Sequence, residues 1–153
     1  MIAESLAGKR VAITGATGFV GTALVERLLR GAPDCELILV VRHGKRTPAA
    51  TRTQKELLKN DAFDRLRALH DADPDGESFQ AMADRRITTV AGDVGTDGLG
   101  LEEAERAIFA TADIVIHSAA TVSFDSPLTS AIEINLRHLR DELRSFLRAA
   151  LAP

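Results

Sequence analysis

Glycines near the amino terminus are spaced as in a turn that holds phosphate groups. Gly15, Gly18 and Gly21 lie in the stretch VAITGATGFVG, residues 11–21, where a short apolar run leads into them. Gly15 permits a sharp turn, Gly18 lets the backbone approach a pyrophosphate, and Gly21 lets a helix pack on the preceding strand. Amide groups at the start of that helix would meet the phosphate charge. The stretch predicts a dinucleotide site formed by Gly15, Thr17, Gly18, Phe19, Val20 and Gly21.

A basic segment after the second apolar run indicates which dinucleotide is bound. A protein that prefers NAD carries Asp or Glu at the end of this strand, about 20 residues beyond the glycines, where it bonds the ribose hydroxyls. This chain has Arg42 there, followed by the sequence HGKR. Arginine would form charge-assisted hydrogen bonds with a 2′-phosphate, which predicts NADP(H), and Arg52 is a second candidate for the same phosphate. A solvated basic loop is the alternative.

Strands and helices alternate along the chain in an order that would position these residues. Apolar runs and helical periodicity predict strands over 9–14, 36–42, 87–91 and 113–117, and helices over 18–30, 49–69, 101–110 and 126–150. In the first helix, the spacing predicts a buried face of Val20, Ala23, Leu24, Leu28 and Leu29. The polar stretch 71–78 is expected to be a surface loop. The alternation predicts an α/β fold, a Rossmann-like doubly wound parallel sheet that is incomplete, with about four strands in the order 3-2-1-4.

Composition narrows the classes of protein to which the chain can belong. With 153 residues, 45% of them hydrophobic, it is expected to form one domain with a buried core. A net charge of -3 argues against a general nucleic-acid binder. The single cysteine cannot form an internal disulfide, which favours a cytoplasmic location. The apolar run 37–41 is too short to span a bilayer, and the histidines do not have the spacing of metal ligands.

Several longer motifs together resemble a known family. VAITGATGFVG, LILVVR, KELLKNDAFDRLR, VAGDV and HSAATVSFD are similar to the amino-terminal part of fatty acyl-CoA reductases, which belong to the extended short-chain dehydrogenase/reductase superfamily. The resemblance covers about residues 9–136. Thioester reductase domains of carboxylic acid reductases and peptide synthetases are similar as well.

The resemblance implies further cofactor contacts. Asp93 corresponds to a carboxylate that bonds the adenine amino group, with Val94 beside it. Ser118, Ala119 and Ala120 correspond to a loop that passes under the cofactor ribose, where small residues allow backbone contact. Asn135 resembles an asparagine that supports the following helix and helps to organise a proton relay; a polar residue satisfied by its own helix is the alternative.

The departures from the family pattern concern catalysis. The sequence contains no tyrosine, whereas the family uses a tyrosine, with a lysine four residues later and a serine or threonine, to transfer the proton. The resemblance implies that these groups and the acyl site would lie beyond residue 153, so no catalytic residue is assigned. The chain is expected to bind NADP(H), to act on acyl-CoA only when the missing half is supplied, and to be inactive alone. A non-catalytic NADP(H)-binding or sensing module, and an inert gene remnant, are alternatives.

The carboxy-terminal residues depart from the family as well. The similarity fades at Arg137, and residues 137–153 are expected to form a divergent helix, produced by an altered reading frame or serving as a capping helix. Residues 1–153 are then the amino-terminal part of an NAD(P)-binding Rossmann domain. Its fourth strand would have an exposed edge at 114–116, which favours self-association.

Overall fold

The fold was obtained as a computed structural model, which describes residues 2–120 together with Thr129 and Arg140. Its helices are α1 (Ile2–Ser5), α2 (Phe19–Gly31), α3 (Ala49–Arg52), α4 (Asp64–Asp71), α5 (Phe79–Arg86) and α6 (Glu103–Phe109). Its strands are β1 (Arg10–Thr14), β2 (Glu36–Val41), β3 (Ile87–Ala91) and β4 (Ile114–His117). A π-helical turn spans Thr53–Leu57, and 3-10 turns span Asp61–Phe63 and Asp97–Gly100. Apart from Thr129 and Arg140, the predicted helix over 126–150 and the segment 137–153 lie outside the described residues.

The strands form one parallel sheet in the order β3-β2-β1-β4. Val11 of β1 pairs with Leu37 of β2 on one side and with Ile114 of β4 on the other. The predicted fold class and strand order are therefore confirmed. Within the described sheet β4 pairs only with β1, and self-association through this edge stays a prediction that sedimentation can test.

The central strands are almost continuously apolar because helices or turns cover both of their faces. Alternate residues of a strand point to opposite faces. Val11 and Leu39 face a core cluster that includes Val25 of α2, whereas Ala12 and Ile38 face a second cluster that includes Phe109 of α6. The sheet is thus the middle layer of the fold, and among the described residues no helix is long and apolar enough to cross a membrane.

The segment between β2 and α4 is not the continuous helix that the sequence predicted over 49–69. The α3 helix passes into the π-helical turn, and Asn60 then starts a new turn because its side-chain oxygen accepts a hydrogen bond from the Ala62 amide at 2.9 Å. The new turn buries Phe63 completely. Leu69, the last residue of the predicted helix, is 56% exposed.

The α5 helix was not predicted from the sequence. It begins at Ser78, whose hydroxyl accepts a hydrogen bond from the Ala81 amide at 3.2 Å and satisfies a free donor of the first turn. Its last residue, Arg86, is buried and reaches the carboxyl end of α2, where it donates to the Leu29 and Ala32 carbonyl oxygens. The arginine thereby joins two helices on the same side of the sheet.

Candidate cofactor-binding site

A crevice of about 490 Å³ opens at the carboxyl ends of the strands. It lies where the strand order reverses between β1 and β4, which is the position that ligands occupy in open α/β sheets. Most of the residues that line it lie in the loops after the strands, with the end of β2 and the last residue of α3 completing the wall. The lining residues are Gly15, Thr17, Gly18, Val40, Val41, Arg42, Arg52, Gly92, Asp93, Val94, Gly95, Ser118, Ala119 and Ala120.

The glycine turn is held tightly against its neighbours. Gly15 has a φ of +72°, and a β-carbon there would stand 2.6 Å from the Ala119 amide nitrogen. The Gly18 amide donates to the Gly15 carbonyl oxygen at 2.9 Å. A β-carbon on Gly21 would clash with the same carbonyl group and would lie 2.8 Å from the Ala16 α-carbon. Larger residues at Gly15 or Gly21 would therefore push the turn away from β4 or from α2.

The start of α2 presents backbone amides and exposed apolar side chains beside this turn. No side chain caps the helix at Gly18, so the amide groups of its first turn must be satisfied by a ligand or by water. Phe19 and Val20 are 95% and 66% exposed. The predicted buried face of this helix was therefore wrong at Val20 and at Ala23, which is also exposed, whereas Val25 is buried. The helix is rotated so that its small residues Gly21 and Thr22 contact the turn.

The loop after β3 is fixed by backbone hydrogen bonds. The Asp93 amide donates to the Leu99 carbonyl oxygen at 2.7 Å, and the Asp93 carboxylate accepts from the Gly95 amide at 2.9 Å. A β-carbon on Gly92 would lie 2.8 Å from a methyl carbon of Val40, so a larger residue there would force the Val40 side chain to shift. The second carboxylate oxygen of Asp93 lies 3.9 Å from the Arg42 guanidinium.

The loop after β4 continues the parallel pairing with β1. The Ser118 amide donates to the Thr14 carbonyl oxygen at 3.2 Å, and the Thr14 hydroxyl and His117 Nδ1 are hydrogen-bonded at 2.9 Å. Burial lowers the pKa of the His117 imidazole from its usual 6.5, because the charged ring would lose solvation. A neutral ring at the end of β4 thus helps to hold the loop under the crevice.

Two arginines that line the crevice have different environments: Arg42 directly follows β2, and Arg52 is the last residue of α3. The Arg42 side chain is 69% exposed, whereas the Arg52 side chain is 19% exposed. Arg52 donates to the Arg42 carbonyl oxygen at 2.6 Å and forms a two-pronged ion pair with Glu56. Hydrogen bonding between the partners raises the pKa of the Arg52 guanidinium and lowers the pKa of the Glu56 carboxyl.

Most residues that the sequence predicted for the site line the same crevice. Those that do so are Gly15, Thr17, Gly18, Arg42, Arg52, Asp93, Val94, Ser118, Ala119 and Ala120. The lining does not include Phe19, Val20 or Gly21, and Asn135 lies outside the described residues. Sequence reasoning missed Gly92 and Gly95, although the pattern GDVG around Asp93 could have indicated a close backbone approach there.

Comparisons with known proteins assign the family. A family model of NAD-binding domains, described as "Male sterility protein", matches residues 13–145. The chain therefore belongs to this family. It is 34% identical over 136 residues to fatty acyl-CoA reductase 1 of Homo sapiens and 31% identical over 138 residues to the chloroplastic fatty acyl-CoA reductase 2 of Arabidopsis thaliana. These alignments cover 88% and 89% of this chain but only 24% and 22% of the relatives.

Solved structures agree with the family assignment. The terminal R domain from the myxalamid PKS-NRPS biosynthetic pathway is 30% identical with a TM-score of 0.68, covering 94% of this chain and 33% of that domain. The reductase domain of a nonribosomal peptide synthetase from Mycobacterium tuberculosis is 28% identical with a TM-score of 0.59, covering 98% of this chain and 33% of that domain. The resemblance inferred from the sequence is confirmed: this is an NAD(P)-binding domain of the fatty acyl-CoA reductase kind, and its cofactor class is a nicotinamide dinucleotide.

Proposed function

We propose that this chain is the NADP(H)-binding part of a fatty acyl-CoA or thioester reductase. The preference for NADP(H) over NAD(H) is inferred from the position of Arg42. This residue lines the crevice directly after β2, where an NAD-binding protein has an acidic residue. A guanidinium offers several donors in a fixed plane and suits a phosphate on the ribose 2′ oxygen.

The crevice fits the rest of such a cofactor. Gly15 and Gly18 leave the turn without side chains, and the uncapped start of α2 offers amide donors to a pyrophosphate. Asp93 has a carboxylate oxygen to accept a bond from the adenine amino group, while Arg42 would take the phosphate. Ser118 to Ala120 would support the ribose nearer the nicotinamide. When bound, the cofactor supplies the hydride, and the residues of this chain bind and orient it.

The substrate class is proposed from the relatives, because the chain spans only about a quarter of their length. The relatives are named fatty acyl-CoA reductases, and the solved domain from Mycobacterium tuberculosis is named a reductase domain of a nonribosomal peptide synthetase. The sequence has no tyrosine to polarise a thioester carbonyl and pass a proton. We therefore expect these 153 residues to bind NADP(H) without reducing acyl-CoA. A non-catalytic NADP(H)-binding or sensing module is the alternative candidate.

Calorimetric titration with NADPH and NADH tests the proposal. A charge-assisted pair with the 2′-phosphate should make the wild-type chain prefer NADPH by about ten- to a hundredfold. Arg42→Ala should remove most of that preference. Lys59→Ala is the matched control, because Lys59 is an exposed cation outside this segment that does not line the crevice. Equal affinity of the wild type for both dinucleotides would overturn the proposal.

Turnover measurements separate the two candidates. The 153-residue chain with NADPH and a long-chain acyl-CoA should oxidise no more NADPH than a blank. The same chain mixed with the remainder of a fatty acyl-CoA reductase should gain activity if it is the cofactor-binding part of that enzyme. Turnover by the chain alone that disappears in Gly18→Asp would show that a proton donor other than tyrosine completes the site.

A further inference from the structure

Resting on the proposed function, we propose that Arg52 and His43 are positioning residues that hold the segment 42–48, the basic loop, in the shape that receives a 2′-phosphate. The basic loop connects the end of β2 to the start of α3 and carries Arg42, Lys45 and Arg46 on exposed positions. Selection of the phosphate would then depend on residues that do not themselves bind it.

Arg52 acts on the first residue of the basic loop. Its Nη1 donates to the Arg42 carbonyl oxygen at 2.6 Å, which fixes the backbone from which the Arg42 side chain projects. Its Nε donates to Glu56 at 2.9 Å, and its Nη2 donates to the same carboxylate at 2.6 Å. Every nitrogen of the guanidinium is thus engaged, and a carboxylate stands against it. These bonds suit a brace between helix and loop better than a phosphate ligand, which was the role that the sequence suggested for Arg52.

His43 acts on the far end of the same loop. Its Nδ1 accepts a hydrogen bond from the Ala49 amide at 3.2 Å, at the first residue of α3, where an amide has no partner within the helix. Between these two anchors the Gly44 amide donates to the Thr47 carbonyl oxygen at 2.8 Å, which closes a tight turn. The basic loop is therefore closed by its own residues and anchored at both ends.

The α3 helix, which carries Arg52 and the Ala49 amide, is itself fixed to the sheet. The Thr53 hydroxyl, which is buried, donates to the Ala49 carbonyl oxygen at 3.3 Å and accepts from the Thr89 hydroxyl of β3 at 3.0 Å. Ala49 is buried beside it. A rigid base of this kind reduces the conformational entropy that the loop loses when it binds an anion.

Removal of the Glu56 carboxylate shows whether Arg52 positions the loop or binds the phosphate, because the two roles predict opposite changes in the affinity for 2′-phospho-ADP. Glu56→Ala deletes a negative charge near the phosphate, so it would strengthen binding if Arg52 were freed to contact the anion. If Arg52 positions the loop, the same change should weaken the binding of 2′-phospho-ADP by about three- to tenfold and leave the affinity for ADP unchanged. The matched control is Glu77→Ala, which breaks another arginine ion pair, with Arg85, away from the crevice lining.

Substitutions at His43 test the other anchor. His43→Leu should weaken the binding of 2′-phospho-ADP by about three- to tenfold relative to the binding of ADP. His43→Asn, whose side-chain oxygen can replace Nδ1 as acceptor, should restore the wild-type ratio. Equal urea midpoints of all variants would exclude a general loss of stability. A wild type that binds 2′-phospho-ADP no better than ADP would refute the proposed function, whereas an intact preference in both Glu56→Ala and His43→Leu would refute only the role of the anchors.

Discussion

Gly15 and Ala119 lie so close together that a single added carbon would collide: a β-carbon on Gly15 would stand 2.6 Å from the Ala119 amide nitrogen. This contact joins the turn after β1 to the loop after β4, the two segments on either side of the point where the strand order reverses. The crevice therefore depends on the missing side chain at Gly15 as well as on its left-handed backbone.

Gly15→Ala should destabilise the chain more than the backbone conformation alone would require. Gly8 provides the matched control, because its φ of +68° is similar and nothing lies within 4 Å of an added β-carbon. Gly8→Ala should cost about 1–2 kcal/mol from left-handed strain. Gly15→Ala should cost about 1–3 kcal/mol more from the collision. Urea unfolding followed by circular dichroism measures both, and equal costs would show that the loop after β4 moves aside freely.

The second prediction concerns the contribution of Arg86 to the free energy of unfolding. This arginine is 3% exposed and donates to the Cys35 carbonyl oxygen at 2.9 Å as well as to carbonyls at the end of α2. Arg86→Met would keep the length of the side chain but leave those oxygens unpaired, at a cost of about 3 kcal/mol or more. Arg85→Met, at a neighbouring exposed residue that is paired with Glu77, should cost less than about 1 kcal/mol. Similar losses in the two variants would mean that water replaces the Arg86 bonds.

The third prediction follows from the lowered pKa of His117. Its folded pKa lies below the 6.5 of an unfolded chain, because burial penalises the charged ring. The unfolded state therefore takes up the proton first as the pH falls. The stability that the neutral ring provides is complete above about pH 6.5 and is lost as the pH falls through the folded pKa.

Urea unfolding of the wild type and of His117→Asn across pH 5 to 8 measures this contribution. The difference in unfolding free energy should be largest near pH 8 and should shrink towards pH 5. Because the other histidines are common to both proteins, their titration cancels in the difference. A difference that grows as the pH falls would mean that the ring is protonated in the folded chain.

The parts of the fold that could be predicted from the sequence are those determined by patterns among neighbouring residues. β2 is apolar over Leu37–Val41 because it is buried on both faces, and the glycine spacing after β1 requires a turn of known shape. The break at Asn60 and the α5 helix were missed because one side-chain cap decides each of them. The burial of Arg86 and the brace from Arg52 to the Arg42 carbonyl join residues of different elements, which no local pattern reports.

The last prediction concerns Asp93 and Arg42, whose carboxylate and guanidinium lie 3.9 Å apart. If Asp93 accepts a hydrogen bond from adenine and Arg42 binds the phosphate, Asp93→Asn should weaken the binding of both 2′-phospho-ADP and ADP, because both contain the base. It also removes a negative charge beside the phosphate site.

The ratio of the ADP to the 2′-phospho-ADP dissociation constant in Asp93→Asn should therefore rise by about two- to threefold at low salt and return towards the wild-type value at high salt. The amide oxygen of the new residue can still accept from Gly95, so the loop should keep its shape. Calorimetry at two salt concentrations measures the ratio, with Arg42→Ala as the variant that lowers it. A ratio that falls in Asp93→Asn would mean that the carboxylate serves mainly to aim the Arg42 side chain, whereas an unchanged affinity for ADP would mean that another group contacts the adenine.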